Sequence, residues 1–192
     1  MPHETSPGKG ALVVQAGKPP WNDLVAAAVL APLYMHDGEV RLLLIRRSDT
    51  VAHHRGQYAF PGGRWEASDG TLWQTALREC REELGWDTEE LRHVATLPTQ
   101  VTHVSGFRIQ PYLVWAPSPL QVIPQGGEVA GVIGPPLHFF WQNHGQAAIK
   151  AEKEGGPCYN FHNRTIWGAT ARIIHHLMPI LARSDLIHPK GR

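Results

Sequence analysis

With 192 residues, 42% hydrophobic content and seven tryptophans, the chain carries enough large apolar side chains for a buried core, which excludes an intrinsically disordered protein. Eighteen basic residues against seventeen acidic ones leave a formal net charge of +1, so no global field points to nucleic acid or a membrane surface. The two cysteines, Cys80 and Cys158, exclude a disulfide framework or a four-cysteine zinc site and fit a reducing cytoplasm.

Residues 1–20 mix Pro, Gly, Lys and Ser without periodicity or an apolar signal-like stretch, and read as a flexible tail with a short strand at 11–15. Residues 21–192 read as one domain. The longest apolar run, 24–34, contains Pro32 and is too short to span a bilayer. With 40–46 it forms a predicted hairpin across the turn His36-Asp37-Gly38-Glu39. Residues 71–84 predict a helix, because Trp73, Ala76, Leu77, Cys80 and Leu84 fall on one stripe, and Gly85 stops it. Strands follow at 93–97, 108–115 and Val129–Ile133, then a second helix at 166–182 with Ile166, Thr170, Ile173, Ile174 and Leu177 at apolar spacing. The order predicts an α/β (α+β) fold, a mixed sheet covered on both faces.

Glu79, Glu82 and Glu83 stand at i, i+3 and i+4 of the first helix, so their side chains share a face beside the apolar stripe. Like charges at that spacing repel by roughly 0.2–0.5 kcal/mol per pair. A hard divalent cation, Mg²⁺ or Mn²⁺, would offset the repulsion, since carboxylate oxygens are its preferred ligands and it also takes phosphate oxygens. The plain alternative is a solvated face with Arg78 and Arg81 as ion-pair partners. Phe60-Pro61-Gly62-Gly63, just upstream, favours the cation, because paired glycines let a backbone approach a ligand.

Gly63 followed by Arg78-Glu79-Cys80-Arg81-Glu82-Glu83-Leu84-Gly85-Trp86 resembles the Nudix box, with its tail Arg-Glu-apolar-any-Glu-Glu-any-Gly-apolar. The box places an acid six residues after its glycine and eight before its arginine. Here Asp69 follows Gly63 by six and precedes Arg78 by nine, one residue extra. The resemblance implies a Nudix-type α/β/α sandwich with Glu79, Glu82 and Glu83 as metal ligands, the Gly63 carbonyl as a further one, and Arg78 as an orienting partner. Upstream, Leu43-Leu44-Ile45-Arg46-Arg47-Ser48, Gly56 and Phe60-Pro61-Gly62-Gly63 resemble the accessory motif of the coenzyme A pyrophosphatase branch. Ile45 stands where Thr is usual and Ala52 where a second Arg is usual, leaving Arg46, Arg47 and Arg55 as the nearby guanidiniums. Thr102 with 105–111, and 166–171, also look like this branch.

By that resemblance Arg47, His54, Gln57, Gly62 and Gly63 contact substrate, with His53 adjacent. Glu128 is a candidate extra ligand or general base, or else a plain loop glutamate. Phe139, Phe140 and Trp141 either stack on an adenine or belong to the core. Cys80 reads as inert packing. The implied reaction is cation-assisted attack of water on a diphosphate, giving 3′,5′-ADP and 4′-phosphopantetheine from coenzyme A. The alternatives are hydrolysis of another nucleoside diphosphate derivative, or a non-catalytic nucleotide-binding module, whose sign would be a broken box. The expected partner is a small molecule, with neither nucleic acid nor a membrane.

Overall fold

The computed structural model describes residues 24–50, 55–102, 105–117, 122–125, 127–145 and 156–183. The expected tail, the strand at 11–15, His53, His54 and Ala52 lie outside them. A six-stranded mixed sheet is built on two long strands, β1 (Val25–His36) and β8 (Phe107–Trp115), which run parallel from Val25↔Phe107 to Leu33↔Trp115. Short antiparallel strands share their outer edges. On β1 these are β2 (Glu39–Leu42) and β5 (Gly62–Arg64); on β8 they are β6 (Arg92–Thr96) and β7 (Gln100–Thr102). Pro32, in the middle of β1, costs the β1–β8 ladder nothing. Its carbonyl accepts from Leu43 N on the other side of the strand, so a Pro32 N–H would also have pointed away from β8.

The expected hairpin is present, turning at Asp37 and Gly38 with positive φ. Its second arm breaks at Leu43, however. β2 stays on β1, while β3 (Leu44–Arg47) moves to a separate sheet between β4 (Tyr58–Ala59) and β9 (Val129–Ile133). Alternation continues through the break, so Leu42 and Leu44 enter one core while Leu43 and Ile45 enter the other.

These cores are the two faces of the sandwich. α1 (Leu72–Leu84) packs Ala76, Cys80 and Leu84 against Ala28 and Leu30 on one face. On the other, α2 (Leu137–Asn143) and α3 (Gly168–Ala182) cover Ala31 and Leu33 with Leu137, Phe140, Ile174 and Leu177. α1 follows the expected bounds, with Thr71 and Gln74 as a reciprocal capping box and Gly85 in the left-handed conformation at φ 64°. The second predicted helix starts later than expected. Ile166 ends β11 (Arg164–Ile166), which pairs with β10 (Tyr159–Phe161), and Trp167 is the N-cap.

α2 was not predicted, since seven residues are too few for a periodic signal. It resolves the aromatic choice toward packing: Phe140 is fully buried, and Phe139 and Trp141 lie against the same core. α2 is held to α3 through Pro179, whose missing N–H frees the His175 carbonyl; the His144 imidazole donates to that carbonyl at 3.0 Å. No helix among the described residues is long and apolar enough to cross a membrane.

Candidate active site

The glycine loop packs against β1 and α1: Gly62 has no room for a side chain, and Gly63 has none unless the flexible Glu79 side chain moves. Gly62 has φ 145°, and a Cβ there would strike the Ala28 carbonyl and lie 2.6 Å from Val29 Cα. A Cβ on Gly63 would fall on the Glu79 carboxylate, so the missing side chain is what lets Glu79 lie over the loop. Four residues further along α1, Glu83 Oε2 accepts from Gly62 N at 2.9 Å. Arg47 approaches from β3, with Nη1 3.9 Å from Glu83 Oε1 and Nη2 4.0 Å from Glu128 Oε2. Its backbone is clamped: Arg47 N donates to Gln57 O at 2.9 Å, Gly56 N donates to Arg47 O at 3.1 Å, and the next amide, Ser48 N, donates to Glu128 O at 2.7 Å.

Burial pushes the Glu83 carboxyl up to about 8, with Glu79 and Glu128 adding repulsion against the Gly62 hydrogen bond and Arg47. Glu79 is raised for the same first reason, desolvation, with Glu82 and Glu128 contributing.

Arg78 forms a second group. Its Nε donates to Asp69 Oδ1 at 2.7 Å and Nη2 to Asp69 Oδ2 at 3.1 Å, while Nη2 also donates to Arg64 O at 2.9 Å. Nη1 reaches Glu82 at 3.0 Å and Glu79 at 3.1 Å. Asp69 also accepts from Thr75 Oγ1 and Glu66 N, both at 2.9 Å. The Arg78 hydrogen bond holds its carboxyl below the usual range despite burial. A 3-10 turn at Ala67–Asp69 and Gly70 at φ 69° lead from Asp69 into the helix.

The NUDIX domain family model matches residues 24–154. The chain belongs to the Nudix family. It is similar to the uncharacterized Nudix hydrolase NudL of Yersinia pestis (strain Pestoides F), 36% identical over 155 residues, which cover 79% of this chain and 77% of the relative. NudL of Yersinia pseudotuberculosis (serotype O:1b, strain IP 31758) matches to the same extent, at 36% identity. In fold it resembles an Ap4A hydrolase of C. elegans in a binary complex, with TM-score 0.56 at 18% identity, covering 83% of this chain and 98% of that one. It also resembles the MutT protein of Methanosarcina mazei Go1, with TM-score 0.56 at 14% identity, covering 83% and 96%. The protein is a Nudix hydrolase with the sandwich fold of that family.

Within the Nudix box, α1 and the loop bring Glu79, Glu83, Gly62 and Gly63 together, and β3 and the loop before β9 add Arg47 and Glu128. Glu82 is not in this group; it is 59% exposed and paired with Arg78. Gln57 reaches the group through its backbone, and His54 lies outside the described residues. Sequence reasoning left Asp69 without a role and missed Thr75. The signal for Asp69 was its position six residues after Gly63; nothing in the sequence marks Thr75 as its partner.

The donor set suits a hard divalent cation. Glu79 and Glu83 are both raised first by desolvation, Glu83 also by Glu79, and the cradle over Gly63 would be filled by any Cβ. Among the described residues no three acidic, histidine or cysteine side chains enclose a metal position as they stand. Arg47 lies between Glu83 and Glu128, and Arg78 holds Glu82.

Proposed function

We propose that this Nudix hydrolase cleaves the diphosphate of coenzyme A or its derivatives, giving 3′,5′-ADP and 4′-phosphopantetheine, with Glu79, Glu82, Glu83 and the Gly63 carbonyl holding Mg²⁺ or Mn²⁺. The observation that carries the reading is the meeting of two separate motifs. Arg47, from the segment resembling the coenzyme A branch, faces Glu83 of the Nudix box, while Gln57 and Gly56 of the same segment clamp the Arg47 backbone.

Bound there, the cation would neutralise diphosphate charge and lower the pKa of a coordinated water. The chain's own residues do the rest. Glu79 and Glu83 present hard oxygens in a dry setting, and Gly62 fixes Glu83 through its N–H. Arg47 offers a planar guanidinium suited to two phosphate oxygens at once. Arg78, locked on Asp69, sets the direction of Glu79 and Glu82. Glu128, exposed and beside Arg47, is placed to accept a proton from water.

Of the two departures from the branch motif, Ile45 bears on packing rather than on ligand, because it is fully buried against α1. Arg46, one of the nearby guanidiniums, is paired with Asp49 at 3.1 Å in an exposed contact. The deciding experiment is a substrate panel of coenzyme A, its thioesters, NADH, ADP-ribose and nucleoside di- and triphosphates, with product masses. The expected result is preferred release of 3′,5′-ADP from coenzyme A. Preference for any other member moves the enzyme to a different nucleoside diphosphate derivative and leaves the box chemistry unchanged.

A further inference from the structure

Arg47 and Arg78 both face the carboxylates of α1, and they are held in very different ways. Arg78 makes close contacts between 2.7 and 3.1 Å with Asp69, Glu79, Glu82 and the Arg64 carbonyl. Among the described residues the Arg47 guanidinium makes none of that length: its two ion pairs stand at 3.9 and 4.0 Å, beyond hydrogen-bond range. Its Nε is buried and has no hydrogen-bond partner among the described residues. A guanidinium carries five N–H donors, and leaving them unused away from water is unfavourable unless another state satisfies them. The backbone of Arg47 is nonetheless rigidly placed by Gln57 and Gly56. The side chain is therefore delivered to the site with its donors free.

Its contact with the two carboxylates is coulombic and not a hydrogen bond, and those carboxylates already repel each other and Glu79. A divalent cation on Glu83 would satisfy that carboxylate more strongly than a guanidinium 3.9 Å away, and would repel the guanidinium. Resting on the reading of Glu83 as a metal ligand, we infer that Arg47 is an exchangeable counter-ion. It lies against Glu83 and Glu128 in the metal-free protein and passes to the substrate diphosphate when a divalent cation takes over Glu83. Metal and diphosphate binding are then linked through one side chain, with Arg47 opposing the first and promoting the second.

The sign of that opposition separates this role from a structural one. The full chain, with Arg47→Gln, Arg47→Lys and Glu83→Gln variants checked for folding by circular dichroism, is titrated with Mn²⁺ alone by its paramagnetic resonance signal. Arg47→Gln is expected to bind Mn²⁺ on the order of five-fold more tightly, the lower end of ordinary coupling between sites. Arg47→Lys, which keeps the charge, should stay near wild type. At saturating Mn²⁺, methylenediphosphonate should bind Arg47→Gln about five-fold or more weakly. If Arg47 merely supported the site, its loss would weaken Mn²⁺ binding, and unchanged or weaker Mn²⁺ binding by Arg47→Gln overturns the inference.

Glu83→Gln distinguishes the two levels of failure. If it binds Mn²⁺ as wild type does, the metal-ligand reading falls and the counter-ion role with it. If it loses Mn²⁺ while Arg47→Gln gains nothing, only the counter-ion role falls. Should Arg47→Gln not fold, the wild-type Arg47 Nε–H resonance, assigned by its absence from Arg47→Lys, is followed instead. It should shift on adding Mg²⁺ and again on adding methylenediphosphonate, and a signal unmoved by saturating Mg²⁺ overturns the inference.

Discussion

Asp69 and Glu83 are both buried, at 3% and 5% side-chain exposure, and both face a guanidinium, yet their carboxyls move in opposite directions from the ordinary range. Asp69 is gripped by Arg78 through two bonds and by Thr75 and the Glu66 amide, so its charged form is fully solvated by protein. Glu83 has one amide hydrogen bond and an arginine too distant to donate, with Glu79 and Glu128 alongside. Burial is common to both, so satisfaction of the charge decides the direction. The first carboxylate is complete as it stands and holds the helix entrance. The second is left short of positive charge, the condition that a bound cation would relieve.

The largest expected effect tests the second carboxylate. Glu83→Gln keeps shape and removes charge, so turnover should fall by orders of magnitude while the metal-free protein stays folded. Steady-state rates with Mg²⁺ beside a metal-free melting curve would measure both, and near-normal turnover would remove Glu83 from the chemistry. Asp69→Asn should do the reverse. It removes the charged partner that Arg78 grips through two bonds, while Glu79 and Glu82 stay as counter-charges, and losing hydrogen bonds to a charged group costs about 1.5–3 kcal/mol, readable in urea unfolding. If Glu83→Gln proved the more destabilising of the two without metal, the contrast drawn between them would be wrong.

Metal should change only the Glu83 side. A cation that binds the native state at 100 times its dissociation constant stabilises by about 2.7 kcal/mol, provided that the unfolded chain does not bind it. Melting temperature should rise with Mg²⁺ or Mn²⁺, and should still rise in Asp69→Asn if that variant folds. In chelator, the two carboxylates also predict opposite pH limits. Glu83 is raised, so its contribution is fully present below its unfolded value near 4.5 and is lost as pH rises through about 8. Asp69 is depressed, so its contribution is present above its unfolded value near 3.8 and is lost as pH falls through the folded one. The Glu83 contribution to metal-free stability should therefore decline between about pH 4.5 and 8, and Glu83→Gln should flatten that stretch. Equal losses over that range in wild type and variant would mean that another group titrates there.

Much of this was legible in the sequence, where periodicity or a fixed spacing carries it. The stripe on α1, the Gly85 stop, the long strands and the three box glutamates all follow from local pattern. What escaped depends on contacts between distant segments. The break at Leu43 leaves hydrophobic alternation intact, so nothing local reveals that β2 and β3 enter different sheets. α2 is too short to repeat its pattern, and Ile166 is apolar whether it closes a strand or opens a helix. In the site, adjacency in the box placed Glu82 and Glu83 together. It could not tell that one is buried on Gly62 while the other turns outward to Arg78, a difference set by where the loop crosses the helix.

Glu82 therefore gives the finest test. In the metal-free structure it is a mostly exposed partner of Arg78 at i+4, and such pairs are worth about 0.3–0.5 kcal/mol. Glu82→Gln should accordingly leave metal-free stability almost unchanged, since Arg78 keeps Asp69, Glu79 and the Arg64 carbonyl. The resemblance assigns Glu82 to the cation, which requires it to leave Arg78 when metal binds. Arg78 can release it at little cost because Asp69, Glu79 and the Arg64 carbonyl still hold the guanidinium. The metal-dependent rise in melting temperature should then shrink in Glu82→Gln even though its metal-free melting temperature matches wild type. A variant that kept the full rise would leave Glu82 as a surface partner of Arg78, with the cation held by Glu79, Glu83 and the loop.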